Sequence, residues 1–467
     1  MASTMVSSSV KDDSFNQELL IQTEIQSLSK SAAQSFDNDD ISQALRMFKT
    51  AFLLSCKLTE KQTQKACLFN LGAAYISAGK PQKGLKCLLK SKAEGSEATD
   101  ASLYFNIAAA YDEMKEPTKA VKFYEKAIKS YGLSEINNIA DALIKLSYCS
   151  VVTGNLPSAA HTFKLAGQAY QKLKKTDDAV MAMREAANYM IQSQKFSKLE
   201  VLSTLNICVQ LCAGVTDKSL LGKLYNHIGL HYAEMKCFGQ ARQCFAESLD
   251  TCKGTSFSIR KKAVLLQNLG AIDNALGQYE TSLRCHAEAA DMYGTLGERH
   301  AQGQCLCNLA FAYSQLKNYN MAEFYYQQAL CAFSDVGEIH GQWQACEGLG
   351  AIHFCLGNKD QAISYYKQAL SLFGKSKETS DILRERILGK LVHVIEQKAM
   401  HQHPVSCGKS IPGTKLSSHK SFIGDLKSVI STEDHGMSGK HSTRCEEEFQ
   451  KPDKSMGTTT SRICSLS

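Results

Sequence analysis

Four asparagines recur at one place in a repeated pattern, and they carry the clearest chemical signal in this sequence. They are Asn70, Asn106, Asn268 and Asn308, and each lies within a short apolar run. A side-chain amide offers a hydrogen-bond donor and an acceptor together, which matches the two polar groups of one peptide unit. Two interpretations are open: the amides contact an extended ligand, or they bridge neighbouring elements of the fold.

Charged side chains occupy similar places in the middle of the chain, between the two pairs of asparagines. Lys145, Arg184, Lys223 and His227 lie there, with acidic neighbours such as Glu185. Cations at these places could pair with a ligand carboxylate through charge-assisted hydrogen bonds. The mixed signs favour a bound segment that itself carries both charges, although each residue alone also fits a solvated helix face.

Residues capable of catalysis do not form a recognisable set. The sequence has no HExxH, no GxSxG and no GxxxxGK[ST] phosphate loop. His231, His286 and His353 fall within helical patterns, and the last two take places that hold aromatic rings in other repeats. We therefore predict a protein that is not an enzyme, with no cofactor and no small-molecule substrate.

Composition argues against two other classes of function. The chain has 18 Cys, but Cys305 and Cys307 form only a CxC pair and Cys208 and Cys212 only an i,i+4 pair, so we predict no metal site. The net charge is +7, yet Lys and Arg alternate with Asp and Glu along the chain, so no nucleic acid partner is expected. Metal or nucleic-acid binding stays a remote alternative.

The elements that must position these residues are helices arranged in a repeat. A small residue marks each copy, at intervals of 36 to 42 residues: Gly72, Ala108, Ser147, Ala187, Gly229, Gly270, Ala310 and Gly350. A second helix follows with a small residue, a ring four places later and another small residue, as in Ala322, Tyr326 and Ala329. Small and large residues at helical spacing predict two interlocked helices. With a degenerate first copy around Ala32, we expect nine helix pairs that stack into a solenoid.

Stretches such as LCNLAFAYSQLKNYNMAEFYYQQAL (306–330) and CEGLGAIHFCLGNKDQAISYYKQAL (346–370) resemble the tetratricopeptide repeat. The spacing near forty, rather than roughly 34, is similar to that of the Pins/LGN polarity adaptors and rapsyn. The resemblance implies an all-α, right-handed superhelical solenoid over residues 18–398. It also implies a protein–protein interaction adaptor that holds an extended peptide segment of its partner in a concave groove lined by the first helices.

The recurring residues can be placed on this expected groove. At about 100° per residue, the four asparagines fall on the stripe of the first helix opposite the one that packs within the repeat. The resemblance implies that an Asn there reaches the main chain of a bound peptide. The predicted peptide-binding set is Asn70, Asn106, Lys145, Arg184, Lys223, His227, Asn268 and Asn308.

The two ends of the chain lack the repeat. Residues 1–17 and 399–467 are polar and are expected to be disordered, and without a signal-peptide pattern we expect a cytoplasmic protein. The sequence ends in CSLS, which fits a farnesylation motif at Cys464. The alternative function is therefore a membrane-tethered scaffold. Within the tail, SFIGDLKSVI (421–430) has apolar residues at helical spacing, which indicates a linear motif, a segment that docks on its own chain, or a chance pattern.

Overall fold

The computed structural model describes the backbone of residues 2–92, 101–132, 134–251, 259–376 and 380–402, and side chains from residue 17 to residue 400 within those ranges. In this part of the chain every regular element is a helix, nineteen in all, so the predicted all-α fold is confirmed. The chain divides at Gly214 into two compact units, which are described one at a time.

The first unit holds ten helices in five consecutive pairs. They are α1 Ala2–Asp37, α2 Ile41–Ser55, α3 Lys61–Ser77, α4 Pro81–Ser91, α5 Ala101–Glu113, α6 Pro117–Ser130, α7 Ile136–Val152, α8 Leu156–Lys172, α9 Thr176–Ser193 and α10 Lys198–Cys212. Each helix packs on the one before it and the one after it, so the pairs form a stack.

The second unit, from Val215, continues the same arrangement with four pairs and a further helix. They are α11 Lys218–Glu234, α12 Phe238–Thr251, α13 Ile259–Leu276, α14 Tyr279–Thr295, α15 Arg299–Gln315, α16 Tyr319–Asp335, α17 Ile339–Cys355, α18 Lys359–Lys375 and α19 Asp381–Gln402. The nine predicted pairs are thus present in the described chain, and α19 follows them as a helix that the repeat count had not included.

Close contact between small and large residues explains why the helices pair. A Cβ built on Gly350 of α17 would lie 2.9 Å from the ring of Tyr366 on α18, so only hydrogen fits there. Gly229 meets the Phe245 ring in the same way at 2.8 Å. Both rings are buried. Each ring packs into the space left by a glycine on the facing helix, and this close packing stabilises the pair.

Turn residues end the helices where the sequence pattern breaks. Lys317 between α15 and α16 has a φ of 60°, a left-handed conformation that closes the turn. The side chain of Asn318 then accepts a hydrogen bond from the backbone N–H of Met321 at 3.3 Å and caps α16. Short polar turns of this kind set the antiparallel order of neighbouring helices.

The structure bears on the two ends of the chain only in part. Helix α1 begins at Ala2, so its backbone includes residues 2–17, for which the sequence predicts disorder. Residues 403–467, with Cys464 and the SFIGDLKSVI segment, lie outside the described part of the chain. None of the helices described is both long and apolar enough to cross a membrane.

Candidate binding surface

Asn70 and Asn106 lie inside the first unit and do not face a groove. Both side chains have no exposed surface, and neighbouring residues in 69–74 and 105–110 are buried with them. Helices α3 and α5 are in direct contact, and Ala73 and Ala109, near the two asparagines in sequence, are also fully buried. The prediction that these two asparagines face a bound peptide is therefore wrong for this structure.

Asn268 acts as a bridge between first helices of the second unit. Its side chain donates to Oδ1 of Asn226 on α11 at 3.2 Å. On the same helix, Gln267 donates to Gln304 of α15 at 3.2 Å and accepts from the Tyr293 hydroxyl at 2.9 Å. Asn268 therefore bridges two first helices, and its side chain remains half-buried and partly accessible.

Asn308 is the asparagine that best fits a position facing solvent. Its side chain is half-buried on α15, whereas its main-chain carbonyl accepts a hydrogen bond from Nδ2 of Asn274 at 3.2 Å. The neighbouring packing is thus made by the backbone of residue 308. An amide side chain at such a position can still offer a donor and an acceptor to a ligand.

A polar and partly accessible surface of the first unit lies on α7 and α9. We define the central stripe as Lys145, Tyr148, Arg184, Glu185 and Asn188, all of which are half-buried. Arg184 Nη2 donates to Glu185 Oε1 at 2.5 Å, and Asn188 Nδ2 donates to Glu185 Oε2 at 3.4 Å. The two charged side chains keep about a fifth of their surface exposed, 20% for Arg184 and 19% for Glu185.

Electrostatic effects show which members of the central stripe are neighbours. Burial raises the pKa of the Tyr148 phenol, the negative charge of Glu185 raises it further and Arg184 opposes both. Burial likewise raises the pKa of Asp112 on α5, and the positive charge of Lys145 is among the effects that lower it. Arg184 and Glu185 therefore lie near the Tyr148 ring, whereas Lys145, one turn before Tyr148 on α7, lies near Asp112.

Asp141, a further acidic residue of α7, is occupied by the fold. The Tyr170 hydroxyl donates to its Oδ1 at 3.0 Å, and Asn137 Nδ2 approaches its Oδ2 at 3.4 Å. The Lys175 ammonium donates to Asn137 at 2.6 Å and continues the network into the turn before α9. These contacts join α7, α8 and the next repeat, so we assign Asp141 to packing.

The remaining predicted cations belong to the second unit. Lys223 and His227 lie one turn apart on α11, and both are half-buried. Lys145 and Arg184 therefore belong to the first unit, and Lys223 and His227 belong to the second.

Sequence reasoning missed a buried cluster of charges at the end of the second unit. Glu347 of α17 accepts from Arg386 Nη2 and from Lys390 Nζ of α19, both at 2.7 Å. The sequence signal was a single carboxylate inside the otherwise small and apolar run ACEGLG (345–350). Such a residue can be buried only with a partner, but the partner lies some forty residues away and could not be named.

Three segments match the sequence profile of the tetratricopeptide repeat: residues 101–131, 262–333 and 343–376. They cover α5–α6, α13–α16 and α17–α18, which are paired as described above. These segments are tetratricopeptide repeats. Such repeats generally serve as non-enzymatic modules for binding other proteins, and the helix pairs between the matched segments have the same architecture.

Several solved structures are similar to this chain at low identity. RapI in its apo form is 14% identical, with 76% of this chain and 98% of RapI covered and a TM-score of 0.47. Aspartyl phosphate phosphatase F from Bacillus subtilis is 13% identical, with coverages of 74% and 86% and a TM-score of 0.42. A signal transduction ATPase with a tetratricopeptide repeat sensor from Pyrococcus horikoshii is 15% identical, with coverages of 84% and 54% and a TM-score of 0.41.

No group of three or more His, Cys, Asp or Glu side chains capable of holding a metal ion occurs among the described residues. The buried cysteines follow apolar packing positions. Burial raises the pKa of the Cys212 and Cys346 thiols to about 12. A thiol of this kind stays protonated at neutral pH and is a poor nucleophile or metal ligand.

Proposed function

We propose that this protein is an adaptor that binds an extended peptide segment of a partner protein on the first helices of its repeats. The observation that carries the proposal is the central stripe, where Arg184 lies near Tyr148 and Lys145 precedes Tyr148 by one turn of α7, all three partly exposed. An acidic residue of the partner would pair with these cations, and the tyrosine would pack against a neighbouring side chain.

The Arg184–Glu185 pair sets the charge requirement for that partner. Because Glu185 already accepts from Arg184 and Asn188, an incoming carboxylate would have to share the guanidinium. Arginine has five N–H donors in a planar fork and can serve two carboxylates at once. A basic partner residue close to the acidic one would be met by Glu185, so a segment with both charges fits better than a uniformly acidic one.

A second group of polar residues in the second unit supports the same mode of binding. Lys223 and His227 on α11 and Asn308 on α15 are partly accessible. The amide of Asn308 suits a main-chain contact, whereas Lys223 suits a carboxylate. The protein is expected to act in the cytoplasm, where its many cysteines would stay reduced.

Display of random twelve-residue peptides against the full chain tests this proposal without requiring a purified partner. We expect the selected peptides to be enriched in segments with an acidic residue and a nearby basic one. In the Lys145→Glu, Arg184→Glu double variant, the affinity for a selected peptide should fall by at least about 100-fold, since charge-assisted hydrogen bonds contribute roughly 1.5–3 kcal/mol each and both are lost.

The matched control makes the same charge change elsewhere. Lys122 and Lys129 are exposed on α6, a second helix of the repeat, and their double substitution by Glu should leave peptide affinity within about twofold. An equal loss of affinity in both double variants, with helix content unchanged, would show that net charge rather than the central stripe controls binding. A display selection without enrichment would contradict peptide binding altogether.

A further inference from the structure

The last described helix, α19, carries two apolar stripes rather than one. Ile387, Leu391 and Val394 are buried against α17 and α18, with 0%, 7% and 1% of their surface exposed. Leu388, Val392 and Ile395 lie beside them on the helix and are 47%, 44% and 44% exposed. A repeat array needs a polar outer face at its end to stay soluble, whereas this exposed stripe is apolar.

The register of α17 explains what the exposed stripe is for. On α17, Ala345, Leu349 and Ile352 are buried at the same +4, +3 spacing as the buried stripe of α19. Each position one residue further along α17 corresponds to a residue of the exposed stripe of α19. These positions are Cys346, Gly350 and His353, and all three are buried. Gly350 is covered by the Tyr366 ring and His353 is stacked on Tyr365 at 5.2 Å, both from α18. Leu388, Val392 and Ile395 thus occupy the positions that pack on the second helix of a repeat.

Helix α19 therefore has the burial pattern of the first helix of a repeat, with no second helix packed on its exposed stripe among the described residues. We propose that residues 421–430, SFIGDLKSVI, form that second helix and pack on the exposed stripe of α19. At 100° per residue, Phe422, Ile423, Leu426, Val429 and Ile430 fall within an arc of about 120°. The segment would be about 15 Å long, enough to cover the stripe from Leu388 to Ile395.

The length of the intervening chain favours this occupant over a second molecule. Residues 403–420 join the end of α19 to the segment, and eighteen residues can span up to about 60 Å. For the segment to run back along α19, the linker needs only a fraction of that distance. A short tether of this kind gives an effective concentration in the millimolar range, whereas a second copy or a separate partner must compete at its own concentration.

A photocrosslinking experiment on the full chain tests the contact directly. Val392→p-benzoylphenylalanine places the crosslinker on the exposed stripe. Glu396→p-benzoylphenylalanine is the control, because residue 396 is exposed but lies beside the stripe. Around the axis of α19 it is about 40° from Val392 and 100° from Ile395. We expect the probe at residue 392 to crosslink within one chain to a peptide from 421–430, found by mass spectrometry. The probe at residue 396 should give at least about fivefold less of that product.

Two tail variants show whether the apolar face of the segment makes the contact. Leu426→Asp introduces a charge on that face, and Ser428→Asp introduces the same charge on the opposite face. The crosslink from residue 392 should fall at least about tenfold in the first variant and be retained in the second. Products of dimer mass would assign the stripe to a second copy, and an absent or unselective crosslink would show that the segment does not cover it; either result overturns the proposal.

Discussion

The carboxylate of Glu347 lies 2.7 Å from the guanidinium of Arg386, and this ion pair joins α17 to α19. Their side chains are only 8% and 11% exposed, and Lys390 donates to the second carboxylate oxygen at 2.7 Å. A carboxylate shared by two nearly buried cations is difficult to remove, since its loss leaves both cations without compensation.

Glu347→Gln should therefore destabilise the second unit by about 3 kcal/mol. For a unit of this size the melting temperature would fall by roughly 6–12 °C, which differential scanning calorimetry can measure. The exposed pair of Lys262 and Glu288, with N–O 2.6 Å and side chains 43% and 47% exposed, provides the control. Glu288→Gln should cost less than about 1 kcal/mol, and similar shifts in the two variants would contradict the assigned role of burial.

A methyl group added at Gly348 should loosen the packing of α16 on α17. The new Cβ would lie 2.5 Å from the buried ring of Tyr326, so Gly348→Ala should cost about 1–3 kcal/mol of unfolding free energy. Gly389 of α19 has no atom within 4 Å of its Cβ position, and Gly389→Ala should stabilise the helix by up to about 1 kcal/mol. Urea unfolding of both variants checks the opposite signs.

His286 should make stability depend on pH in mildly acidic solution. Burial lowers the pKa of its imidazole to about 3 in the folded protein, from 6.5 in the unfolded chain. Between these values the unfolded state binds the extra proton, so the free energy of unfolding rises with pH and is lost on acidification. From pH 7.5 to pH 5 the expected loss is about 2 kcal/mol.

His286→Phe should remove that part of the pH dependence, because a ring fills the equivalent place in neighbouring repeats. Urea unfolding at pH 7.5 and pH 5 should show a difference about 2 kcal/mol smaller than in the natural protein. His161→Phe, which replaces an exposed imidazole on α8, controls for the loss of one histidine. An unchanged difference in the His286 variant would mean that the imidazole titrates alike in both states.

Some of the asparagines are buried and support the fold, whereas others are partly accessible. Substitution by Ala should therefore lower stability at the first kind and peptide affinity at the second. Asn106 is fully buried, so Asn106→Ala should cost about 1–3 kcal/mol of stability by disrupting buried polar contacts. Asn308→Ala should change the melting temperature little and instead weaken binding of a selected peptide by about fivefold. Isothermal titration alongside thermal melts distinguishes the two effects, and the reverse pattern would refute the classification.

Cys464 provides a test of membrane attachment. If the terminal CSLS is farnesylated, a part of the protein should sediment with membranes, and Cys464→Ser should release most of it. A single lipid chain gives only weak, reversible attachment, so the sedimenting fraction should be modest and sensitive to dilution. Equal membrane content for both proteins in cell fractionation would exclude the tether.

The helix pairs of this protein follow from its sequence, whereas the accessibility of its polar residues depends on how the repeats pack. Small and large residues at helical spacing set the pairing of Gly350 with Tyr366, because their contact lies within one repeat and recurs along the chain. The exposure of an asparagine side chain depends on how closely the neighbouring first helix approaches. Asn70 and Asn106 are therefore fully buried, whereas Asn308 stays partly accessible. Likewise, a carboxylate in an apolar run such as that of Glu347 needs a partner when it is buried, but only packing across repeats shows that the partners are Arg386 and Lys390.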